Sequence, residues 1–150
     1  MLDDTAAFAR ELGAALAAGD VAAVLLRLTE ADERTTINRA KTVAAAVQCR
    51  DIALLVDGRP EIVARAGADG AHLTGIEALR AALPTLKPDR IVGAGGLRSR
   101  HDAMLAGEAD ADYAMFGEPD HDGGGVPSLE AVAERLAWWA ELKEKASHED

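Results

Sequence analysis

The sequence predicts an α/β protein in which parallel strands alternate with helices. Within Asp51 to Thr74, the apolar run Ile52–Val56 precedes a short helix that Pro60 opens and Gly67 ends, and the apolar segment Ala71–Leu73 follows. A strand, a helix and a strand in so few residues form a βαβ unit, whose strands are parallel and whose crossover is right-handed. Neither strand alternates polar with apolar residues, which is typical of a parallel sheet covered on both faces.

Length and composition favour one globular domain over residues 1–150, with a charged, frayed tail at about 144–150. The chain has a formal net charge of -10 and only 3% aromatic residues. Both numbers argue against nucleic acid as a partner, because such sites need positive charge and stacking platforms. No segment is apolar enough to span a membrane, and no signal segment precedes the first helix, so we expect a cytoplasmic protein. The lone Cys49 is expected to be a buried free thiol.

Five strands are predicted, and helices separate them. The strands are Val21–Leu28, Ile52–Val56, Ala71–Leu73, Ile91–Ala94 and Tyr113–Phe116. The order αβαβαβαβαβα suits either a partial (β/α) barrel or an open sheet of the flavodoxin type.

Apolar spacing and turn residues define the six helices. The first helix begins at Asp3–Thr5 and ends at Gly19, and the second covers about Arg34 to Val47. Pro84 and Pro88 end the fourth helix. Ser99 caps the fifth, with Asp102 as a weak capping-box partner, and Ser128 caps the last. The side chains expected on the buried faces are Phe8, Leu12, Leu16, Ile76, Leu79, Leu83, Met104, Leu105, Val132, Leu136, Trp139 and Trp138.

Two groups of residues at strand ends are candidates for binding chemistry. The turn Gly93–Gly96 follows a strand and precedes a helix, so its backbone N–H groups can hold a phosphate, with Arg98 and Arg100 assisting. A tight βα turn uses the same glycines. Asp57 and Glu77 follow neighbouring strands and together offer carboxylates for magnesium, or simply an Asx-turn and a first-turn helix acid.

Three further features have both a chemical and a structural interpretation. Arg27 ends an apolar run, where it contacts an anion or forms a salt bridge with Glu30 or Asp57. The strand residue His72 is more typical of a satisfied, partly buried histidine than of a ligand. The segment Asp120–Asp122, which includes His121, is expected to be a solvated loop rather than a metal site.

Four segments resemble the thiamine phosphate synthase and thiazole tautomerase family. They are LLRL at 25–28, LLVDGRPEIVARAGADGAHLTGIEAL at 54–79, RIVGAG at 90–95 and EADADYAMFGEP at 108–119. The resemblance implies a (β/α)8 barrel whose members join a pyrimidine diphosphate to a thiazole phosphate and release pyrophosphate with Mg²⁺. A closed barrel needs eight strands. The resemblance therefore implies one further strand before Met1 and two after Asp150.

The family's binding residues match this sequence only in part. By resemblance, Arg27 and Arg59 hold pyrophosphate, and Glu77 is the second magnesium carboxylate. The departures are Thr29 for a lysine, Asp57 for an asparagine, Gly58 for the first magnesium aspartate, Gly75 for a glutamine, Gly95 for a serine and Leu97 for a histidine; a threonine–lysine pair is also missing from residues 118–128. We therefore expect impaired or absent catalysis.

The resulting prediction is a degenerate synthase-like protein that keeps some phosphate or pyrophosphate binding. The phosphate-binding candidates are Arg27, Arg59, Gly93, Gly95 and Gly96, and the magnesium candidates are Asp57 and Glu77. The alternative is a non-catalytic, truncated or engineered scaffold that folds and self-associates. Bare sheet edges have three possible explanations: a homodimer that pairs edge to edge, a doubly wound open sheet, or further residues outside this sequence.

Overall fold

A computed structural model describes residues 4–118 and 125–147 of the chain. Helices α1 to α6 are Asp4–Ala17, Glu33–Gln48, Val63–Ala66, Ile76–Leu86, Arg100–Glu108 and Leu129–Ser147. Strands β1 to β5 are Ala23–Leu26, Ala53–Asp57, Gly70–Thr74, Ile91–Gly95 and Tyr113–Ala114, and a 3-10 turn, Pro60–Ile62, precedes α3. The predicted alternation of helices and strands is confirmed.

The five strands form one parallel sheet in the order β1-β2-β3-β4-β5. Strand β1 pairs with β2 from Ala23↔Ala53 to Leu26↔Val56, and β4 pairs with β5 at Gly93↔Tyr113. A sequential order is that of a (β/α) barrel, whereas the flavodoxin order is 2-1-3-4-5. Of the two predicted arrangements, the partial barrel is therefore the one observed.

The packing divides the chain into two compact units. The first unit consists of Met1–Leu73 and Ala82–Val92, and the second consists of Thr74–Ala81 and Gly93–Asp150. The prediction of one domain over residues 1–150 stays a prediction.

The core of the first unit is built on α2 and the central strands. Asp32 caps α2 by accepting a hydrogen bond from the Thr35 N–H, and its pKa is lowered chiefly by the Thr35 hydroxyl hydrogen bond and then by that N–H. One face of α2 then enters the core with helical spacing. The buried residues on that face are Thr36, Ile37, Ala40, Val43, Ala44 and Val47.

The motif GADG at 67–70 joins α3 to β3 through a network of hydrogen bonds. Gly67 ends α3 in the left-handed conformation with φ 70°, as its position after the short helix predicts. The Asp69 carboxylate accepts the backbone N–H of Leu54 at 2.7 Å and the side-chain amide of Gln48 at 3.0 Å. Gln48 also donates to the Gly67 carbonyl at 2.7 Å. Asp69 therefore ties the start of β3 to β2 and to the end of α2.

The second unit rests on α5 and α6. Ser99 and Asp102 form a complete capping box at the start of α5, which is stronger than the weak analogue predicted. The Ser128 hydroxyl accepts the Ala131 N–H at 3.2 Å, as predicted for the cap of α6. Trp139 packs edge-on against Phe116 at a centroid distance of 6.0 Å.

Several predictions of helix faces were wrong because small residues are buried in place of large ones. In α1, Phe8 is 50% exposed, while Ala9, Gly13 and Leu16 are buried. In α5, Met104 is 44% exposed, while Ala103 and Ala106 are buried. Leu136 of α6 is also half exposed, although no small residue is buried instead among the described side chains of that helix. Alanine and glycine faces allow close approach of neighbouring elements, and the bulky side chains then lie outside the contact.

Three local predictions were also wrong. Pro84 lies inside α4, which continues to the buried Leu86, so the packing of that last turn outweighs the proline's missing N–H. Cys49 is exposed because it follows the buried face of α2 at the C-cap. The first and last strands are shorter than the predicted Val21–Leu28 and Tyr113–Phe116. In the described ranges no helix is long and apolar enough to cross a membrane.

Candidate functional site

Arg27 and Asp57 meet where β1 and β2 end. Parallel neighbours bring their carboxyl ends to one edge of the sheet, and Arg27 Nε lies 2.9 Å from Asp57 Oδ2. The Arg27 side chain is 55% exposed and that of Asp57 is 18% exposed. Of the two interpretations of Arg27, the salt bridge with Asp57 is present, and the exposed arginine surface still allows contact with an anion.

A cavity of about 340 Å³ lies beside Arg27 in the first unit. Arg39 also lines it, and its guanidinium is 3.5 Å from the Thr29 hydroxyl. The remaining lining residues come from α1, β1, the segment after β1 and α2: Asp4, Thr5, Phe8, Leu26, Leu28 and Val43. The lining thus combines two arginines and two threonines with the acidic Asp4 and an apolar wall. Sequence reasoning missed Arg39, and an arginine on the second turn of the helix after β1 is the signal that points to it.

Arg59 is engaged by a carboxylate on its own segment. Its Nε lies 2.7 Å from Glu61 Oε1, and this hydrogen bond raises the pKa of Arg59. The preceding Gly58 has φ 67°, and a Cβ there would meet no atom within 4 Å. A side chain at position 58 therefore has space but needs the left-handed backbone conformation.

The magnesium candidates Asp57 and Glu77 lie in different units of the chain. Asp57 is the ion-pair partner of Arg27, and Gly58 has no side chain at the position of the expected carboxylate. Glu77 is an exposed acid in the first turn of α4, in the second unit. Across residues 4–118 and 125–147, no group of three or more metal-binding side chains occurs. Magnesium binding by Asp57 and Glu77 together stays a prediction.

The Gly93–Gly96 turn in the second unit is occupied by groups of the protein. A Cβ on Gly93 would lie 1.9 Å from the Tyr113 ring, so this glycine makes room for the neighbouring strand's side chain. The Gly95 carbonyl accepts the Gly75 N–H at 3.0 Å. The Gly96 N–H donates to Glu118 Oε2 at 2.9 Å. Sequence reasoning missed Glu118, although its place just after β5, the neighbour of β4, points to this edge.

The other candidate residues either have partners within the protein or lie outside the described residues. Arg100, expected to assist at the glycine turn, contacts Glu134 at 3.5 Å and lies 5.6 Å from the centroid of the Trp138 ring. Arg98 has an interaction partner of its own. His72 is fully buried and also has a partner, which agrees with the satisfied core histidine and is deeper than predicted. The Asp120–Asp122 segment lies outside the described residues.

The strand order and the strand-end residues place the chain among (β/α) proteins with a partial-barrel sheet. Residues 2–121 match the family described as thiamine monophosphate synthase. The chain belongs to this family, as its motifs indicate.

Similar proteins include two named thiamine-phosphate synthase. The protein from Rhodospirillum centenum is 42% identical over 142 residues, and the match covers 94% of this chain and 69% of the length of that relative. The protein from Hyphomonas neptunium is 39% identical, and the match covers 77% of this chain and 55% of the length of that relative. A solved structure named thiamine phosphate pyrophosphorylase from Pyrococcus furiosus has a TM-score of 0.68 at 25% identity. The match covers 86% of this chain and 63% of that protein, so the chain spans about two thirds of the length of that relative.

Proposed function

We propose that this chain is a thiamine-phosphate synthase homologue that binds phosphate or pyrophosphate at Arg27 and has impaired or no synthase activity. The observation that carries the proposal is the 340 Å³ cavity lined by both Arg27 and Arg39. Two arginines lining one cavity favour a diphosphate, because each guanidinium offers planar N–H donors that match phosphate oxygens. The Thr29 hydroxyl adds a further donor in the same cavity.

Three features support weak rather than strong anion binding. Asp57 already accepts from Arg27, so an incoming anion competes with a carboxylate for that guanidinium. Arg59 is likewise matched by Glu61. The formal net charge of -10 adds a general repulsion, which local cations must overcome.

The proposal of impaired catalysis is supported by two departures from the residues of the family. Departure of pyrophosphate from a diphosphate substrate builds negative charge, which an enzyme must neutralise with cations or metal. Here Thr29 stands at the lysine position and Gly58 at the first magnesium carboxylate position. Arg27 and Arg39 supply the positive charge that lines the cavity and can orient the diphosphate. The family's biosynthetic role also favours the cytoplasm as its compartment.

Two measurements on the whole chain test this proposal together. Pyrophosphate is expected to raise the midpoint of thermal unfolding of the wild type, because a ligand that binds only the native state stabilises it. Arg27→Ala is expected to abolish the rise, while the control Arg10→Ala, which removes an exposed arginine from α1, keeps it. Thiamine phosphate formation from the pyrimidine diphosphate and thiazole phosphate is expected to be absent or slow. Turnover at a usual enzymatic rate, about 1 per second or faster, contradicts the proposed impairment.

A second candidate function is a scaffold that associates with copies of itself. The observation that favours it is the terminal position of β1 in the sheet, which leaves one edge of this strand without a strand partner among the described residues. Such edges pair with other chains. Sedimentation velocity over a hundredfold concentration range tests it: a concentration-dependent dimer supports the scaffold, and a monomer throughout excludes it.

A further inference from the structure

The Glu118 carboxylate accepts a hydrogen bond from the Gly96 N–H, which is the backbone donor that an anion bound at the turn after β4 needs. The Met115 N–H donates to the Ala94 carbonyl at 2.8 Å, which extends the β4–β5 ladder beyond the strand pair itself. The residues that follow therefore run along the same edge as the turn after β4. Gly117 then adopts φ 91°, and the next side chain, Glu118, reaches the Gly96 N–H.

The donor side of this contact is equally constrained. Gly96 has φ 63°, and a Cβ there would lie 2.7 Å from Thr74 Cγ2. The Gly95 carbonyl is held by the Gly75 N–H. The turn therefore presents its Gly96 N–H in a fixed direction, and a carboxylate oxygen lies on it at 2.9 Å. Backbone N–H groups of such turns are the donors that bind phosphate oxygens, and a carboxylate makes the same charge-assisted hydrogen bond.

We propose that Glu118 is a specificity-determining residue that excludes phosphate groups from the β4 turn by holding the Gly96 N–H itself. This inference rests on the proposed function for its ligand class, a phosphate or diphosphate, and concerns a different unit of the chain. A phosphate at Gly96 must displace the Glu118 carboxylate and also lie close to its negative charge. Pyrophosphate therefore binds at Arg27 and is rejected at Gly96 in the wild-type chain.

The substitutions Glu118→Ala and Glu118→Gln separate the two effects of the side chain. Glu118→Ala removes both the charge and the competing acceptor, whereas Glu118→Gln removes the charge and keeps an amide oxygen for the Gly96 N–H. Glu108→Gln is the matched control, because it neutralises an exposed glutamate at the end of α5. The readout is the amide resonance of Gly96 in a ¹H–¹⁵N NMR titration with inorganic pyrophosphate.

The wild type and the Glu108→Gln control are expected to show no saturable shift of the Gly96 resonance. Glu118→Ala is expected to show a saturable shift, with a Kd at least about tenfold below the highest pyrophosphate concentration that leaves the wild type unsaturated, since two like charges a few ångströms apart at a protein surface repel strongly. Glu118→Gln is expected to give an intermediate gain. An unchanged Gly96 response in both Glu118 variants, or a saturable shift already present in the wild type, overturns the inference.

The same titration distinguishes this inference from the proposed function. If resonances around Arg27 respond and Arg27→Ala abolishes that response, the proposed function holds whatever occurs at Gly96. If Gly96 responds only in the Glu118 variants while nothing depends on Arg27, Glu118 does exclude anions and the Arg27 site is wrong. A Gly96 response that disappears with Arg27→Ala contradicts the assignment of that response to the Gly96 turn alone.

Discussion

Replacement of Asp69 tests the structural role that we assign to the GADG motif. Its carboxylate accepts from the Leu54 N–H at 2.7 Å and from Gln48 at 3.0 Å, and Leu54 is fully buried. Asp69→Ala removes both bonds and leaves the Leu54 N–H without its side-chain acceptor in the core. An unsatisfied buried donor costs about 1–3 kcal/mol, and a hydrogen bond to a charged group contributes about 1.5–3 kcal/mol.

The expected loss for Asp69→Ala is therefore about 3 kcal/mol of the free energy of unfolding. For a chain of this size it lowers Tm by roughly 6–12 °C. Asp69→Asn can place an amide oxygen on the same two donors, so we expect a loss of only about 1 kcal/mol. The control Asp20→Ala removes an exposed aspartate and is expected to change stability by less than about 0.5 kcal/mol.

Urea unfolding followed by far-UV circular dichroism measures these differences. The slope of the free energy of unfolding against urea concentration is compared among the variants, because an equal slope means that each exposes the same surface on unfolding. The expected ranking of stability is wild type and Asp20→Ala, then Asp69→Asn, then Asp69→Ala. If Asp69→Ala stays within about 0.5 kcal/mol of the wild type, the motif is not the structural link described here. If Asp69→Asn is as damaging as Asp69→Ala, the charge rather than the pair of hydrogen bonds carries the effect.

Four further outcomes are expected. Gly70→Ala places a Cβ 2.0 Å from the Ile91 carbonyl oxygen, so we expect a loss of about 3 kcal/mol in urea unfolding, and a near-neutral result contradicts the close approach of these backbones. Asp32→Ala is expected to lower Tm at neutral pH. Because the pKa of Asp32 is lowered in the folded state, its carboxylate stabilises the protein above the ordinary pKa of 3.8, and this stabilisation is lost as pH falls through the lower folded-state pKa. A Tm difference between variant and wild type that persists in strong acid contradicts this. Asp57→Asn removes the competitor for Arg27 and is expected to tighten pyrophosphate binding about threefold or more by calorimetry, with weaker binding as the contrary result. Gly58→Asp is expected to fold with a loss of stability of about 1 kcal/mol, since aspartate tolerates the left-handed conformation. The new carboxylate is expected to make pyrophosphate binding respond to Mg²⁺, and a lack of response argues against a magnesium site at this position.

Turn residues and apolar runs were enough to predict the order of the elements. Gly67 ends α3 and Ser99 caps α5 as their sequence positions indicate, because glycine and serine act through local backbone geometry. The apolar runs around Leu54 and Val92 predicted buried parallel strands, since both faces of such strands are covered.

The helix faces could not be predicted equally well from the sequence. In alanine-rich helices the spacing of large residues is a weak guide, because alanine supplies the buried contacts, as at Ala103 beside the exposed Met104. Pro84 shows the same limit, since the burial of Leu86 outweighs a local helix-breaking signal. Tertiary packing decided both cases.

The candidate site was predictable only where one residue carries the chemistry. Arg27 at the end of an apolar run indicated a functional or paired arginine, and the pairing with Asp57 was one of the two alternatives. The contributions of Arg39 and Glu118 depend on which elements lie side by side, at a separation that spacing along the chain does not reveal. Such contacts require the fold itself.

Isothermal titration calorimetry of pyrophosphate into the whole chain tests the central claim most directly. The titrations compare the wild type with Arg27→Ala, Arg39→Ala and the control Arg10→Ala at fixed ionic strength, because salt screens such contacts. We expect saturable one-to-one binding to the wild type and to Arg10→Ala, and at least about tenfold weaker binding to each cavity variant, as loss of a charge-assisted pair implies. Equal affinity in all four proteins, or no binding to the wild type, contradicts an anion site at Arg27.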